Sequence, residues 1–135
     1  VWSVTSFTEL RRDGMDTERW NLLHPAEKPR KAYATQQLER TAGPIIAATD
    51  YMRLFADQIR AYVPRGREYR VLGTDGFGRS DTRAKLREFF EVDRHFIVLA
   101  SLKALAEEGL FPAARLLEAM KKYGIDAGKP NPMTA

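Results

Sequence analysis

A short apolar run followed by a Ser, Thr or Asp and then a helical pattern occurs three times in this chain of 135 residues. The runs are residues 1–4, Ile45–Ala48 and Tyr69–Leu72. Short runs that are rich in β-branched or aromatic residues and bounded by turn formers are typical of buried strands. Strands that alternate with helices pair in parallel through right-handed crossovers. The sequence therefore predicts an α/β fold, with a mostly parallel sheet flanked by helices.

The first helix and the connection after it are predicted from caps and helix breakers. Residues 6–9 have the spacing of a capping box, so a helix starts after Ser6. Gly14 predicts a weak point or an early end of this helix, before Trp20. Prolines and glycines then make residues 21–43 a long connection, with one short helical turn near residues 36–38.

Four apolar stripes at helical spacing predict the remaining helices and much of the core. The stripes are Met52, Phe55, Ile59 and Tyr62, ended by Pro64; Leu86, Phe89 and Phe90; Val98, Leu102 and Leu105, closed by Gly109; and Leu116, Leu117 and Met120, before Gly124. The last eight residues contain two prolines and no periodicity. We therefore expect one domain over residues 1–127 and a tail over residues 128–135.

Charge and composition limit the classes of protein and of partner. The formal charge is +4 with a pI near 9.5, but basic residues alternate with acids, and this favours a solvated surface over a nucleic-acid face. Cysteine is absent, which fits a reducing compartment. No run approaches a membrane span. We predict a cytoplasmic protein with no nucleic-acid or membrane partner. A basic nucleic-acid module is kept as a less favoured alternative, for the net charge only.

A search for reactive side chains yields no complete active site. His24 and His95 are far apart and have no ligating companion at helical spacing. No G-x-S-x-G elbow is present, and the acid pair Glu107-Glu108 lies at a predicted helix end. We therefore predict no catalytic, cofactor-binding or metal-binding residue in this chain.

The segment GTDGFGRSD, residues 73–81, is the candidate structural or interface loop and is called the glycine loop below. It follows a predicted strand, as phosphate cradles do, but it matches neither G-x-G-x-x-G nor the P-loop, and Asp75 would repel a phosphate. The favoured interpretation is a turn plus a helix cap. The residues proposed for this role are Asp75, Gly76, Phe77, Gly78, Arg79 and Ser80.

Each part of the glycine loop has an expected role in that turn. Gly76 and Gly78 permit positive φ or close backbone approach, Phe77 anchors the loop, and Ser80 or Asp81 caps the next helix. The alternative is a small-anion or regulatory ligand site with Arg79 as its cation, because ligands of open α/β sheets collect beyond the carboxyl ends of strands.

Three stretches carry a resemblance to a known family. VWSVTSFTELRRDGMDTERWNLLHP, ATDYMRLFADQIRAYVP and YRVLGTDGFGRSDTRAKLREFFEVD closely resemble the C-terminal region of the homodimeric, thiamine-diphosphate-dependent pyruvate dehydrogenase component of the bacterial pyruvate dehydrogenase complex. The resemblance runs through nearly the whole chain. The loop residues 75–80 are also similar to the D-x-F-G-x-S segment of transketolases.

The resemblance implies a transketolase-like C-terminal α/β domain that lacks its first strand-helix unit. The chain, which begins at Val1 inside an apolar run, is therefore expected to be a truncated domain. In the family, pyruvate is decarboxylated on thiamine diphosphate and a lipoyl group is acetylated. Thiamine diphosphate and magnesium are held by the other two domains, so none is expected on this chain. The implied partners are those domains, the homodimer partner and the lipoyl-bearing acetyltransferase component.

Overall fold

The computed structural model describes residues 1–135 and contains six α-helices and two β-strands. In chain order these are α1 (Phe7–Leu23), α2 (Tyr33–Leu38), β1 (Ile45–Ala48), α3 (Arg53–Asp57), β2 (Tyr69–Leu72), α4 (Arg83–Phe89), α5 (Arg94–Glu107) and α6 (Ala114–Tyr123), with a 3₁₀ turn at Arg60–Tyr62. They form two units. The first comprises Val1–Ala42 and Leu54–Arg67, and the second comprises Gly43–Arg53 and Glu68–Ala135.

The two strands of the second unit pair in parallel. Ile45 lies opposite Tyr69, and the register continues to Ala48 opposite Leu72. The ladder extends past both ends, because Ile45 N donates to Glu68 O at 2.8 Å and Thr49 N donates to Leu72 O at 3.0 Å. Parallel strands end at the same edge of a sheet, so the loops that follow β1 and β2 are neighbours. The predicted α/β fold is confirmed.

Residues 1–4 do not form the predicted third strand. The sheet contains β1 and β2 alone, and Trp2 and Val4 remain 45% and 39% exposed. A strand exists only where a neighbour accepts and donates its backbone hydrogen bonds, and residues 1–4 make none to another segment. The expected side-by-side alignment of Trp2 with Ile46 and Val71 is therefore wrong.

Helix α1 begins as predicted but does not stop at its glycine. Ser6 Oγ accepts a hydrogen bond from Glu9 N at 3.2 Å, while the Glu9 carboxylate pairs with Arg12 at 2.8 Å instead of returning to Ser6. Half of the capping box therefore forms. The helix continues through the buried Gly14 to Leu23, so the predicted weak point is wrong.

Gly14 leaves room for an aromatic ring that packs against α1. A Cβ placed on Gly14 would lie 2.3 Å from Cε2 of Tyr62. Tyr62 is 9% exposed, and its hydroxyl donates to Glu18 Oε2 at 3.2 Å. The glycine thus lets α1 approach the Tyr62 ring closely, and the cost in helix propensity is offset by burial of that ring.

The connection after α1 agrees with its prediction. The short helical turn expected near residues 36–38 is α2, which begins at Tyr33. Asn21 holds the connection by accepting from Arg30 N at 2.8 Å and donating to Arg30 O at 3.0 Å. Asp13 accepts from Tyr33 N at 2.6 Å.

The stripe from Met52 to Tyr62 does not lie on one helix. Helix α3 ends at Asp57, and the 3₁₀ turn Arg60–Tyr62 follows. A 3₁₀ turn has three residues per turn, so residues spaced for an α-helix leave the common face. Ile59 and Tyr62 are buried, whereas Met52 and Phe55 are 48% and 39% exposed. The prediction of a core stripe is correct for its second half only.

The later helices are found where predicted, with one different cap. Helix α4 is capped by Thr82, whose Oγ1 accepts from Lys85 N at 3.4 Å, so the expected cap at Ser80 or Asp81 is wrong. Asp81 instead accepts from Thr82 N at 2.6 Å. The predicted helix ends are confirmed at Gly109 and Gly124, which have φ of +74° and +65°.

The stripes of these helices are buried unevenly. Phe90 is 8% exposed, as expected for the core. Leu117 is 69% exposed and Val98 37%, while the fully buried residue of α5 is Ala104. Helical spacing therefore identified the helices correctly but not which side chains they bury.

We predict that Gly14→Ala destabilises the chain by about 1–3 kcal/mol, because the new methyl group overpacks against Tyr62. At an exposed helical position the same change would stabilise by about 1 kcal/mol. Urea unfolding of Gly14→Ala measures the effect. In a Tyr62→Leu background the substitution should become neutral or stabilising. A stabilised single variant would contradict the packing role of Gly14.

Candidate functional site

The glycine loop is attached to the loop that follows β1. Thr74 N donates to Tyr51 O and Thr74 Oγ1 donates to Asp50 O, both at 2.9 Å. Gly73 is buried, and a Cβ on it would lie 2.6 Å from Arg53 N. The parallel pairing of β1 and β2 thus positions two loops so closely that only a glycine fits between them.

Asp75 binds the first residue of α3. Its Oδ2 accepts from Arg53 N at 3.1 Å and lies 3.3 Å from Arg53 Nε. A carboxylate at the start of a helix satisfies a backbone N–H that has no partner within the helix. Asp75 therefore fixes the first half of the glycine loop, and its acceptor oxygen is used within the chain.

The two remaining glycines differ in their surroundings. Gly76 has φ of +126°, as predicted, and a Cβ on it would lie 2.2 Å from Pro132 O. Gly78 is not among the glycines with positive φ, and a Cβ on it would have nothing within 4 Å. The expectation of positive φ or close approach is confirmed for Gly76 and wrong for Gly78.

The second half of the glycine loop is exposed. Phe77 is 77% exposed, so the expected anchoring contact is wrong, because no part of the chain covers this ring. The Arg79 guanidinium lies 4.1 Å from the centre of the Phe89 ring, and Ser80 is exposed. Residues 73–76 are therefore held by the chain, whereas residues 77–80 present an aromatic ring to the surroundings.

An ion pair joins α4 to the loop after β1. Arg87 reaches Asp50 through two hydrogen bonds, Nη2 to Oδ2 at 2.7 Å and Nε to Oδ1 at 3.1 Å, and Arg83 Nη2 lies 3.4 Å from the same carboxylate. The hydrogen bond from Arg87 is the main reason that the pKa of the Asp50 carboxyl lies below its ordinary value. This pair orients the helix that follows the glycine loop.

A groove of about 1090 Å³ in the second unit is not lined by the glycine loop. Its wall includes the Asp50–Arg87 pair, the start of α5 and Lys129. Asp93 already caps that helix start, because its Oδ1 accepts from His95 N and Phe96 N, both at 2.9 Å.

The other side chains considered as reactive candidates in the sequence make structural contacts. His24 stacks on Trp20 at 4.3 Å and ends α1, and His95 stacks on Tyr123 at 4.8 Å. Glu107 pairs with Arg70 and with Lys103. No cluster of three or more His, Asp or Glu side chains is arranged to hold a metal ion. None of the helices has the length and apolar character needed to cross a membrane.

Sequence reasoning missed three residues that shape the glycine loop, namely Tyr51, Thr74 and Pro132. The predicted parallel pairing of β1 and β2 was a signal for the first two, because it brings their following loops together. Pro132 had no such signal, since contacts between a glycine and a backbone carbonyl far along the chain leave no periodic pattern.

A parallel strand pair with flanking helices, and a glycine loop at its carboxyl edge, place this chain among the α/β domains that present loops at the ends of their strands. Residues 1–93 match the model of the transketolase-like TK C-terminal domain. The matched stretch is more than half of the chain. The chain belongs to that family.

The curated relatives are similar to this chain over nearly its whole length. The pyruvate dehydrogenase E1 component of Pseudomonas aeruginosa is 60% identical over 133 residues, that of Cupriavidus necator 59% over 134, and that of Escherichia coli K12 55% over 135. These alignments cover 98%, 99% and 100% of this chain. The chain spans 15% of the length of each of these relatives.

We predict that Arg87→Gln moves the pKa of the Asp50 carboxyl upward, toward its ordinary value, because the main cause of the lowered pKa is removed. Because the folded pKa is depressed, the pair stabilises the fold above the unfolded pKa, and this contribution is lost as the pH falls through the folded value. An NMR titration of the Asp50 carboxyl carbon measures the pKa, and urea unfolding at several pH values measures the contribution to stability. Arg115→Gln, which changes an exposed arginine of α6, is the control. An unchanged Asp50 midpoint in Arg87→Gln would contradict the assigned pair.

Proposed function

We propose that this chain is the non-catalytic C-terminal domain of a thiamine-diphosphate-dependent pyruvate dehydrogenase. The whole enzyme would decarboxylate pyruvate on thiamine diphosphate and acetylate the lipoyl group of a partner acetyltransferase in the cytoplasm. Residues 1–127 would form the domain and residues 128–135 its tail. The role of the domain would be interdomain packing and homodimer assembly.

One observation carries this proposal: 55–60% identity, over essentially the full chain, to relatives that are pyruvate dehydrogenase E1 components. The chain spans 15% of the length of those relatives. Thiamine diphosphate and magnesium would be bound by the remaining length. Two carboxylates beside the glycine loop are already engaged within the chain, Asp75 at the start of α3 and Asp50 in its pair with Arg87. This domain would then contribute shape and contact area to the enzyme.

The glycine loop supports an interface role. Phe77 is 77% exposed and Tyr51, whose carbonyl holds Thr74, is 69% exposed. Met133, whose Cα lies 3.3 Å from the position of a Cβ on Gly76, is 51% exposed. Apolar side chains exposed together mark a contact surface for another protein or domain. Because residues 73–76 are already fixed, docking of residues 77–80 loses less conformational entropy than docking of a wholly mobile loop would.

We expect the isolated 135-residue chain neither to decarboxylate pyruvate nor to bind thiamine diphosphate with magnesium. Isothermal titration calorimetry with both ligands measures the binding. The matched control is the full-length enzyme that contains this chain, titrated under the same conditions. Micromolar binding or pyruvate turnover by the isolated chain would refute the assignment of the chemistry to other domains.

We expect Phe77→Asp in the full-length enzyme to weaken homodimer association by about 30-fold or more, as loss of an aromatic anchor at an interface costs about 2 kcal/mol. Sedimentation velocity over a concentration series measures this. Leu110→Asp is the matched control, because Leu110 is also exposed, at 69%, and lies at the turn after α5. Equal dimer affinity of Phe77→Asp and the unsubstituted enzyme would argue against the glycine loop as a dimer contact.

A further inference from the structure

The last eight residues, 128–135, lie against the glycine loop although they contain no helix or strand. Pro132 is buried, in contrast to Pro130, which is exposed. Its carbonyl oxygen occupies the place where any side chain larger than hydrogen on Gly76 would begin, 2.2 Å from an ideal Cβ. Residues 128–135 are called the strap below, because they cross the loop at this point.

A second contact ties the strap to the far end of α4. Lys129 Nζ donates to Phe89 O at 2.5 Å and pairs with Glu91 Oε1 at 3.1 Å. The carbonyls of the last helical turn have no partner within the helix, so a lysine that reaches them is stabilising. The side chain of Lys129 is only 23% exposed, and its ammonium lies 5.3 Å from the centre of the Phe89 ring. Partial burial makes this contact less sensitive to screening than a surface pair.

Local hydrogen bonds give the strap its shape. At the start of the strap, Gly128 N donates to Asp126 Oδ1 at 2.8 Å. Within it, Asn131 Oδ1 accepts from Met133 N and Asn131 O accepts from Thr134 N, both at 3.0 Å. Such side-chain-supported turns fix the backbone without a helix or a strand. Pro132 is thereby directed at Gly76 while Lys129 reaches Phe89.

The strap contacts the chain both before α4 and at the end of α4. Gly76 precedes α4 and Phe89 is its last residue. The strap therefore holds both the glycine loop before α4 and the end of α4 itself. The Arg79 guanidinium, 4.1 Å from the centre of the Phe89 ring, connects the exposed half of the loop to the same helix end.

We propose that residues 128–135 act as a strap that holds the glycine loop in one conformation, with the Pro132 carbonyl against Gly76 and the Lys129 ammonium at the end of α4. The strap also places the exposed Met133 beside the loop. The effect on loop conformation stands on these contacts alone, and only its consequence for docking rests on the proposed function. The glycine loop without the strap would sample several conformations and dock more weakly.

Amide hydrogen exchange in the 135-residue chain tests the strap. Deleting residues 128–135 should raise exchange of the Thr74 and Arg53 amides by about tenfold or more, because their hydrogen bonds to Tyr51 O and Asp75 Oδ2 open more often once the loop is released. Amides of β1 and β2 serve as the internal reference and should change by less than about twofold. Unchanged exchange of the Thr74 and Arg53 amides in the shortened chain would overturn the proposal.

Two pairs of point variants keep the test decisive if the shortened chain does not fold. Lys129→Met should raise exchange of the Thr74 and Arg53 amides by about threefold, whereas Lys121→Met, which changes an exposed lysine of α6, should not. Gly76→Ala should raise it as the deletion does, whereas Gly78→Ala should not, since a Cβ on Gly78 meets nothing within 4 Å. Equal exchange within both pairs would overturn the strap.

The outcome is separable from that of the proposed function. Binding of thiamine diphosphate by the isolated chain would refute the proposed function and leave the exchange pattern of the strap variants as it is. Conversely, the intact enzyme could have Phe77 at its dimer interface while exchange is unchanged in the strap variants. That combination would reject the strap and leave the proposed function standing.

Discussion

The parallel pairing of β1 with β2 is the constraint on which the second unit depends. Its register, with Ile45 opposite Tyr69, brings the carboxyl ends of both strands to one edge and the following loops into contact. Tyr51 O then accepts from Thr74 N, and Asp75 accepts from Arg53 N. A shift of one residue would exchange the faces of every side chain on one strand and break both contacts. The glycine loop is thus a consequence of strand register.

Anchoring and exposure are divided along the glycine loop, and this division suits the proposed interface role. The first half is fixed by backbone and carboxylate contacts, and Pro132 O closes over Gly76. The second half carries Phe77, which is 77% exposed. Ordering a flexible loop on binding costs free energy for each residue fixed. Because the first half of this loop is already held, fewer residues have to be ordered when the Phe77 ring docks. No reactive group is needed for that role.

The sequence predicted local features well and packing less well. The α/β class, both paired strands, and the helix ends at Gly109 and Gly124 follow from periodicity and capping chemistry, which act over a few residues. The third strand was wrong because a strand needs a partner that no local pattern supplies. The long α1 was missed because Gly14 serves the Tyr62 ring, which is distant in sequence. The loop was located correctly, but Phe77 was expected to be covered, and Pro132 was not foreseen.

Solvent accessibility of Phe77 in the proposed full-length enzyme tests the central claim most directly. Hydroxyl-radical footprinting compares the oxidation rate of its ring in the 135-residue chain and in the full-length enzyme, with Phe90, 8% exposed, as the buried reference. A docked glycine loop should lower the rate at Phe77 by about tenfold in the full-length enzyme, toward that of Phe90. Equal oxidation of Phe77 in the two proteins would contradict the claim that this loop is a contact surface.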